Sequence, residues 1–567
     1  MEEIRKKRGA YNLADYETAC RKFQWLDAKK EIVWFNGKTN AAYNAVDRHA
    51  EGPEKNKPAI LWEGENNERR QYSFLELSRQ SNRFANVMKK LGVKKGDRVF
   101  IFLPRIPELF IAFLGTLKIG AIAGTLFAAF GSSAIKDRLG DSGAKILITD
   151  TELVKRVYHV KAELPKLEKV VVVGKKKLKK YEVSYEKEME KSSDCFRTKM
   201  LGPEAPAFMI YTSGTTGRPK GVVHAHAAIM QQHLTAKWVL DLKKGDVYWT
   251  TADPGWVTGI AYGILGNLSN KATTLVYAGR FDAKKWYSLI SRHGVTVWYT
   301  APTAVRMMMQ QEKPKQKLKS LRHLCSVGEP LNPEAIKWGM KALGLAFHDN
   351  WWQTETGSIL IANYPSMNIR PGSMGRPVPG IKAAIIDDSG KILGKGKEGS
   401  LAIKPKWPSM MRKIWKNKKK YNEYFKKGWF VTGDRASIDK NGYFWFVGRA
   451  DDVIKTSGER VGPFEVESAL MEHKAVAEAA VIGKPDALRG EIIKAFIVLK
   501  KGSNPSKNLE EKLKSFVKKH LAGHAYPREM SFVDSLPKTR SGKIMRRLLR
   551  AKEAGQPLGD TSTLEEY

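Results

Sequence analysis

The chain has 567 residues, 42% of them apolar, so it can form about three or four domain-sized units with buried cores and is not a disordered protein. Its formal net charge of +39 would attract polyanions, including nucleic acids and phosphorylated cofactors, but the lysine runs lack interleaved aromatics and a nucleic-acid motif, which favours solvated surfaces. Cys20, Cys195 and Cys325 lie too far apart for a disulfide framework or a metal site, and no apolar signal segment follows the charged N-terminus, so we expect a cytoplasmic protein.

The first half of the chain alternates between helical and strand patterns. Residues 72–88 carry apolar side chains at helical spacing, and Ser73 is placed as an N-cap. Short apolar runs predict buried strands at residues 99–103, 145–149, 170–173, 273–277 and 295–299. Because helical patterns separate most of these runs, the sequence predicts layered α/β structure with parallel sheets.

Residues 110–130 are mostly apolar and about as long as a membrane-spanning helix. Lys118 lies in their middle, and three glycines interrupt them. We therefore expect a buried helix that ends near Gly120 and is followed by a core strand, with a membrane span as the less favoured alternative.

Residues 211–221 are rich in glycine and hydroxyl side chains and lie between two apolar segments. Glycines let the backbone adopt positive φ, and hydroxyl and N–H groups can donate to phosphate oxygens. The spacing does not match the P-loop pattern G-x-x-x-x-G-K-[ST], and a plain turn between two strands is the alternative. We interpret the stretch as a candidate phosphate-binding loop.

Two later turns carry polar groups that suit a nucleotide. Residues 326–331 end an apolar strand in a glycine turn, whose backbone can lie against a flat base, although an ordinary turn is the alternative. Residues 349–357 place Glu355 between two threonines, and carboxylate oxygen is a ligand that Mg²⁺ prefers. Adjacent tryptophans in this stretch are also typical of core packing.

Beyond about residue 372 the pattern changes. Apolar runs predict strands of a β-rich subdomain at residues 381–386, 401–403 and 443–446. A smaller α+β unit follows, with helices predicted at residues 463–473 and 509–521 and strands at residues 479–482 and 493–499. We place the boundary near residues 449–452, which divides the chain into a large domain (1–449) and a small C-terminal domain (450–567).

Two further motifs lie on either side of this boundary. Asp434 follows a Thr-Gly pair at a strand end, where a carboxylate can accept both hydroxyls of a ribose, although a turn aspartate is the alternative. Lys543 lies in a basic segment between a glycine and two apolar residues. This pattern favours a loop that docks Lys543 at a specific place, and a solvated tail is the alternative.

The order of these motifs resembles that of the adenylate-forming superfamily, which includes acyl-CoA synthetases, luciferases and peptide-synthetase adenylation domains. Residues 349–357 narrow the resemblance to the acetyl-CoA synthetase family, and it spans nearly the whole chain. The resemblance implies that ATP and acetate form an acetyl-adenylate and pyrophosphate, after which CoA yields acetyl-CoA and AMP. A propionyl- or medium-chain synthetase shares the same motifs, and a basic nucleic-acid-binding protein is the alternative from another class.

The resemblance implies roles for individual residues. Lys543 would reach the substrate carboxylate and the α-phosphate, Thr354 would contact the α-phosphate, and Glu355 would bind Mg²⁺. Asp434 would bind the ribose with help from Arg449. The other residues that it implies for ATP or AMP binding are Thr212, Ser213, Gly214, Thr215, Thr216, Lys220, Gly328, Glu329, Pro330, Asp349, Asn350, Trp351, Gln353 and Arg460.

The resemblance also implies an acyl pocket walled by Val257, Thr258, Val327 and Trp352. Trp352 matches a tryptophan that closes the pocket in acetate enzymes, whereas glycine at this place is typical of longer-chain relatives. A filled pocket rejects extra methylenes by overpacking, so we expect acetate to be preferred over propionate.

The remaining implications concern the C-terminal domain. Asp451 matches the interdomain hinge, and CoA contacts are expected from Ser457, Gly458 and Arg460. Partners are expected to be the small molecules acetate, ATP and CoA, with neither nucleic acid nor membrane. A lysine acetyltransferase and a deacetylase acting on Lys543 would silence and restore adenylation, because acetylation removes the charge. The sequence departs from the family pattern at Asn350, where threonine is common, and at Glu459, where histidine is common.

Overall fold

The computed structural model describes residues 3–212, 219–456, 459–521, 525–539, 543–558, 561 and 564, with the side chain of Arg460 left out. The strands, numbered in chain order, are β1 (Pro58–Glu63), β2 (Arg69–Ser73), β3 (Arg98–Phe102), β4 (Ile122–Thr125), β5 (Ile146–Asp150), β6 (Lys169–Val173), β7 (Glu182–Ser184), β8 (Pro206–Thr212), β9 (Lys220–Ala225), β10 (Val247–Thr250), β11 (Thr273–Tyr277), β12 (Val297–Thr300), β13 (His323–Ser326), β14 (Phe347–Trp351), β15 (Ile361–Ala362), β16 (Ser373–Pro377), β17 (Ala383–Ile386), β18 (Gly399–Ile403), β19 (Lys413–Ile414), β20 (Phe425–Lys426), β21 (Trp429–Ile438), β22 (Phe444–Arg449), β23 (Ile454–Thr456), β24 (Glu459–Val461), β25 (Val476–Asp486), β26 (Gly490–Leu499) and β27 (Glu529–Phe532).

The α-helices are α1 (Tyr16–Lys22), α2 (Trp25–Lys30), α3 (Arg48–Ala50), α4 (Phe74–Lys90), α5 (Pro107–Lys118), α6 (Ser132–Ser142), α7 (Val154–Tyr158), α8 (Tyr185–Lys191), α9 (Ala228–Trp238), α10 (Val257–Ile260), α11 (Gly266–Ser269), α12 (Ala283–Arg292), α13 (Pro302–Met309), α14 (Pro333–Leu343), α15 (Lys418–Glu423), α16 (Pro463–Glu472), α17 (Lys507–His520) and α18 (Arg546–Glu553). Two π-helical turns (Tyr43–Asp47 and Ala261–Leu265) and two 3₁₀ turns (Lys161–Glu163 and Thr354–Thr356) complete the helical segments of the described residues.

The large domain contains two sheets. The first has fourteen strands in the order β17-β18-β21-β22-β16-β15-β14-β13-β12-β10-β11-β1-β2, with β20 paired to β21. The second has eight strands in the order β19-β9-β8-β4-β3-β5-β6-β7. Neighbouring strands are parallel from β14 to β1 in the first sheet and from β8 to β7 in the second, as the alternation of helices and strands predicts.

Both faces of each large sheet are covered, which gives layered α/β architecture. Val99 and Ile101 of β3 pack into the largest hydrophobic core, whereas Phe100 and Phe102 pack into a separate core on the opposite face. The first sheet behaves in the same way, because Tyr248 of β10 faces the shared core and its neighbour Trp249 packs against α12. Alternate side chains of a strand point to opposite faces, so apolar runs without alternation mark strands that are buried on both sides.

The predicted N-cap at Ser73 is confirmed. Its Oγ accepts from the backbone N of Glu76 at 3.2 Å, and the Glu76 carboxylate accepts from the backbone N of Ser73 at 2.7 Å. This reciprocal capping box satisfies two N–H groups that the first turn of α4 leaves unpaired.

The apolar segment 110–130 is a buried helix followed by a core strand, as predicted. Helix α5 ends at Lys118, Gly120 adopts a φ of +79°, and β4 begins at Ile122. Lys118 is fully buried, and its Nζ lies 2.6 Å from Oδ1 of Asp47, which balances its charge. Across the described residues, helices that are both long and apolar enough for a membrane span are absent.

The predicted β-rich region joins the first sheet. Strands β16 to β18 and β20 to β22 pair antiparallel with one another, and β15 connects them to the parallel strands through β14. The last strand of this region ends at Arg449, and a five-stranded sheet begins with β23 at Ile454. That sheet, with α16 and α17 on its core, forms the smaller C-terminal domain.

Candidate active site

A cavity of about 1560 Å³ lies beyond the carboxyl ends of β10, β12, β13 and β14 and is bordered on one side by the C-terminal domain. Open α/β sheets bind ligands at this edge. The residues predicted for the site that line this cavity are Thr212, Lys220, Val257, Thr258, Val327, Gly328, Glu329, Pro330, Asp349, Asn350, Trp351, Trp352, Gln353, Thr354, Glu355, Asp434, Arg449 and Lys543.

Glu355 lies on the 3₁₀ turn that follows β14 and faces a cation and a phenol. Nζ of Lys220 is 3.1 Å from its Oε1, and the hydroxyl of Tyr424 donates to the same oxygen at 2.7 Å. Burial acts to raise the pKa of Glu355, but the charge of Lys220 and the hydrogen bond from Tyr424 outweigh it, so the pKa lies below its ordinary value. The carboxylate is therefore ionised at neutral pH.

Asp434 on β21 lies at the centre of a second polar cluster. Its Oδ2 accepts from Nε1 of Trp351 and Nε2 of Gln353, both at 2.9 Å, and its Oδ1 accepts from Arg449 at 2.9 Å. Burial raises the pKa of this carboxyl, while the charges of Arg449 and Lys543 act in the opposite direction. Lys543 and Asp434 line the same cavity.

Asp349 and Asn350 lie at the end of β14 beside the last residue of β13. The hydroxyl of Ser326 donates to Asp349, and the side-chain amide of Asn350 donates to the carbonyl of Ser326 at 2.8 Å. Burial raises the pKa of Asp349 to about 7. These contacts fix the two strand ends side by side at the floor of the cavity.

Glu329 lies in the glycine turn that follows β13, where Gly328 adopts a φ of +94°. Its carboxylate accepts from Thr303 and from Arg306, each at 2.6 Å. Both donors belong to α13, so this helix holds the turn in place.

Trp352 lines the cavity and contacts two tyrosines. Its ring contacts Tyr262 edge-on with centroids 5.2 Å apart, and its Nε1 donates to the hydroxyl of Tyr299 at 3.4 Å. Val257 and Val327 are both buried against the same space. The indole is thus supported from behind, which limits how far it can move away from a ligand.

The C-terminal domain contributes Lys543 and a paired arginine to the cavity wall. The Lys543 side chain is exposed, while Arg546 lies 2.6 Å from the buried Glu467. Asn332 at the start of α14 donates to the hydroxyl of Ser468 on α16 at 2.8 Å, a direct hydrogen bond between the two domains.

Several predictions concern residues outside these contacts. Asp451 is exposed and does not line the cavity, and its carboxylate lies 3.6 Å from Nε of Arg449. The hydroxyl of Thr212 is buried without a hydrogen-bond partner among the described residues. The predictions that lie outside the described residues concern Ser213, Gly214, Thr215, Thr216, Ser457, Gly458 and the side chain of Arg460.

Sequence reasoning missed three residues that shape the site: Tyr424, Tyr299 and Arg306. None belongs to a motif, and their contacts arise only when distant segments meet. The one available signal was their position, because Tyr299 and Arg306 lie at or just after the end of a predicted strand, where α/β sites form.

The chain matches two family models. The model described as AMP-binding enzyme matches residues 46–415, and the model described as AMP-binding enzyme C-terminal domain matches residues 465–543. An acetyl-coenzyme A synthetase of Bacillus subtilis (strain 168) is 54% identical over 565 residues, which cover 98% of this chain and 98% of that protein. An acetyl-coenzyme A synthetase of Methanothrix thermoacetophila is 43% identical over 565 residues, which cover 94% of this chain and 86% of that protein.

Solved structures show the same similarity. An acyl-CoA synthetase of Brucella canis superposes with a TM-score of 0.74 at 36% identity, covering 96% of this chain and 99% of that chain. An anthranilate CoA ligase, AuaEII, in complex with anthranoyl-AMP superposes with a TM-score of 0.86 at 30% identity, covering 94% of this chain and 99% of that chain. The layered sheets, the C-terminal domain and these matches together show that the chain belongs to the AMP-binding enzyme family.

Proposed function

We propose that this chain catalyses the AMP-forming synthesis of acetyl-CoA, in which ATP, acetate and CoA give acetyl-CoA, AMP and pyrophosphate through an acetyl-adenylate. The observation that carries the proposal is one cavity lined by an ionised carboxylate, by Lys220 of the large domain and by Lys543 of the C-terminal domain. The relatives named acetyl-coenzyme A synthetase, which match nearly the full length, support acetate as the acid.

In this proposal ATP lies along the strand ends. Asp434 accepts hydrogen bonds from the ribose hydroxyls, with Arg449 beside it. The ends of β13 and β14 flank the adenine. Thr212, which ends β8, and Lys220, which begins β9, face the phosphates. The buried hydroxyl of Thr212 has no hydrogen-bond partner among the described residues, which supports a phosphate contact, because such a group normally finds a partner.

The residues around Glu355 fit a magnesium ion. Its carboxylate lines the cavity and is held ionised, which is the donor that a hard cation requires. Within the described residues, clusters of three or more His, Cys, Asp or Glu side chains able to hold a metal are absent, in keeping with Mg²⁺ sites that use one carboxylate and substrate phosphates. Glu355 would hold the ion, which when bound offsets phosphate charge.

The first step joins acetate to AMP. A carboxylate oxygen of acetate attacks the α-phosphorus of ATP, and pyrophosphate leaves with the electron pair of the broken bond. The barrier is mainly the approach of one anion to another, so Lys543 and Lys220 act by electrostatic stabilisation. Thr354 would contact the α-phosphate from the turn that carries Glu355.

The second step transfers the acetyl group. The CoA sulfur attacks the acetyl carbonyl, AMP leaves, and the thiol proton is released. One site then serves two reactions, so we propose that the C-terminal domain (450–567) turns relative to the large domain (1–449) about Asp451. Ser457, Gly458 and Arg460 would contact CoA after this turn. Acetylation of Lys543 by a lysine acetyltransferase, reversed by a deacetylase, would stop the first step by removing its charge.

The test is ATP–pyrophosphate exchange with acids of increasing length, followed by thioester formation with CoA. We expect exchange that depends on acetate, weaker exchange with propionate, and AMP as the nucleotide product. Formation of ADP in place of AMP would overturn adenylation. Faster exchange with propionate or a medium-chain acid would overturn the choice of acetate but leave the mechanism intact.

A further inference from the structure

The turn that carries Glu355 is held from outside at four consecutive backbone carbonyls. Each of these oxygens lies within hydrogen-bond distance of a donor group from another segment of the large domain. The contacts are Thr354 O with His224 Nε2 at 2.8 Å, Glu355 O with Met411 N at 3.0 Å, Thr356 O with Trp407 Nε1 at 2.9 Å, and Gly357 O with Gln232 Nε2 at 3.1 Å. The direction of the turn is therefore set by its surroundings as well as by its own sequence.

His224 is the member of this set that links the turn to the candidate phosphate loop. It lies on β9, the strand that begins with Lys220, and its side chain is fully buried. Its ring stacks on Phe208 with centroids 4.9 Å apart. On the other side lies Gly357, where a Cβ would approach the ring to 2.8 Å and the carbonyl oxygen of Ser409 to 2.1 Å. The ring fits there because residue 357 is glycine.

Both ring nitrogens of His224 face carbonyl oxygens. Nε2 is 2.8 Å from Thr354 O, and Nδ1 is 3.1 Å from Ser409 O. A neutral imidazole carries one N–H and can donate to only one of them. The shorter contact is to Thr354. Ser409 is already fixed by its backbone N, which donates to Gln231 at 3.3 Å, and by its hydroxyl, which donates to Thr356 O at 2.7 Å.

We infer that His224 is a positioning residue whose Nε2–H donates to Thr354 O and fixes the direction in which the Glu355 carboxylate faces the cavity. Lys220 and His224 both lie on β9. This strand therefore contacts the Glu355 carboxylate through Lys220 and the backbone of the Glu355 turn through the His224 ring. The inference rests on the proposed function, because it assigns the fixed carboxylate to a magnesium ion held with ATP. Loss of a residue that orients a metal ligand lowers metal affinity by about 10- to 100-fold.

Three variants separate positioning from packing. His224→Gln places an amide donor near the position of Nε2, whereas His224→Asn places one near Nδ1 and leaves Thr354 O with only the longer contact from the backbone N of Gly357, at 3.2 Å. His226→Asn is the matched control, because His226 is also fully buried, lies two residues further along the chain, and its Nδ1 accepts from the backbone N of Ala41 at 3.1 Å. That contact survives in asparagine, whose side-chain oxygen can accept.

The readout is calorimetric titration of Mg²⁺ into the full chain with a non-hydrolysable ATP analogue and no acetate. We expect His224→Asn to weaken Mg²⁺ binding by about tenfold or more. His224→Gln and His226→Asn should stay close to the parent chain. Thermal unfolding of each variant shows whether it is folded.

Two results would overturn the inference: Mg²⁺ binding by His224→Asn that equals the parent, or an equal loss in His224→Gln and His224→Asn. If His224→Asn does not fold, a folded His224→Gln that has lost Mg²⁺ affinity overturns it, and one that retains it supports it. A parent chain that binds Mg²⁺ with the analogue but shows no acetate-dependent exchange would instead contradict the proposed function.

Discussion

Lys220 and Glu355 form an ion pair of 3.1 Å although their segments are attached to different sheets. Lys220 begins β9 of the eight-stranded sheet, and Glu355 follows β14 of the fourteen-stranded sheet. Tyr424 hydrogen-bonds to both side chains. The pair thus joins the two layers of the large domain at the cavity, and its electrostatics can be tested by removing one charge at a time.

Glu355→Gln should keep the shape of the side chain and abolish its charge. We expect acetate-dependent ATP–pyrophosphate exchange to fall by about 10²–10³-fold, which is the loss seen when one electrostatic group of an active site is removed. The required Mg²⁺ concentration should rise. Tyr424→Phe is the control: it deletes one hydrogen bond to the carboxylate, so its loss should be smaller. Equal losses in both variants would contradict a metal role for Glu355.

Lys543→Ala should separate the two half-reactions. Adenylation should fall by about 10²–10³-fold because the anionic acid would approach the α-phosphate without this positive charge. Thioester formation from added acetyl-adenylate and CoA should stay near the parent rate. A comparable loss in both half-reactions would place Lys543 in a role other than adenylation.

Trp352→Gly should open the acyl end of the cavity. The indole is backed by Tyr262 and Tyr299, so its removal leaves space that the walls do not fill. We expect kcat/KM for acetate to fall and that for longer acids to rise, measured with linear acids of increasing length. An unchanged chain-length profile would refute the pocket assignment.

Asp451→Pro should impair the second half-reaction more than the first. Proline fixes φ near −65°, and a hinge residue must change its backbone angles. We expect acetyl-adenylate to form at nearly the parent rate and acetyl-CoA to form slowly, measured by single-turnover assays. Asp451→Ala is the control, since it removes the carboxylate and leaves φ free. Parent-like overall turnover in the proline variant would exclude Asp451 as the hinge.

Asp349→Asn should change how stability depends on pH. Burial raises the pKa of Asp349 from 3.8 to about 7, so between these values the folded chain holds a proton that the unfolded chain releases. The protonated Asp349 therefore stabilises the folded chain fully below about pH 4, and this stabilisation is lost as pH rises through about 7. The change in the free energy of unfolding is on the order of 4 kcal/mol. The Tm of the variant minus that of the nucleotide-free parent should therefore become more positive from pH 5 to pH 8. A constant difference would contradict the raised pKa.

The local elements of the fold could be predicted from sequence. The capping pattern at Ser73 marks the start of α4, and the glycine after Lys118 marks the break before β4; both predictions are confirmed. These features depend on residues that are near one another in the chain, where spacing and turn preferences act directly.

The order of the strands could not be predicted in the same way. Strand β1 lies parallel to β11, with Ile60 opposite Thr274. Neither segment has a sequence feature that predicts this pairing. Likewise, the sequence predicts the β-rich region as a separate subdomain, whereas β15 joins it to the parallel strands. The joining contacts are main-chain hydrogen bonds, which any sequence can make.

Some residues of the candidate site could be predicted from sequence and others could not. Glycine-rich turns and isolated carboxylates such as Glu355 are visible in sequence because their composition is unusual for a core. Tyr424 and His224 are ordinary residues for a loop and a buried strand. Their contacts come from the closure of segments that lie far apart, so only the folded structure shows them.

The carbonyl contacts around the Glu355 turn also constrain when the site can form. Two of the four donors, Trp407 and Met411, are made later than the turn they hold. A nascent chain that ends before Trp407 can build the parallel strands but lacks two of the four donors that hold the turn. Since folding during synthesis proceeds from the N-terminus, nucleotide binding should be among the last properties that the large domain gains.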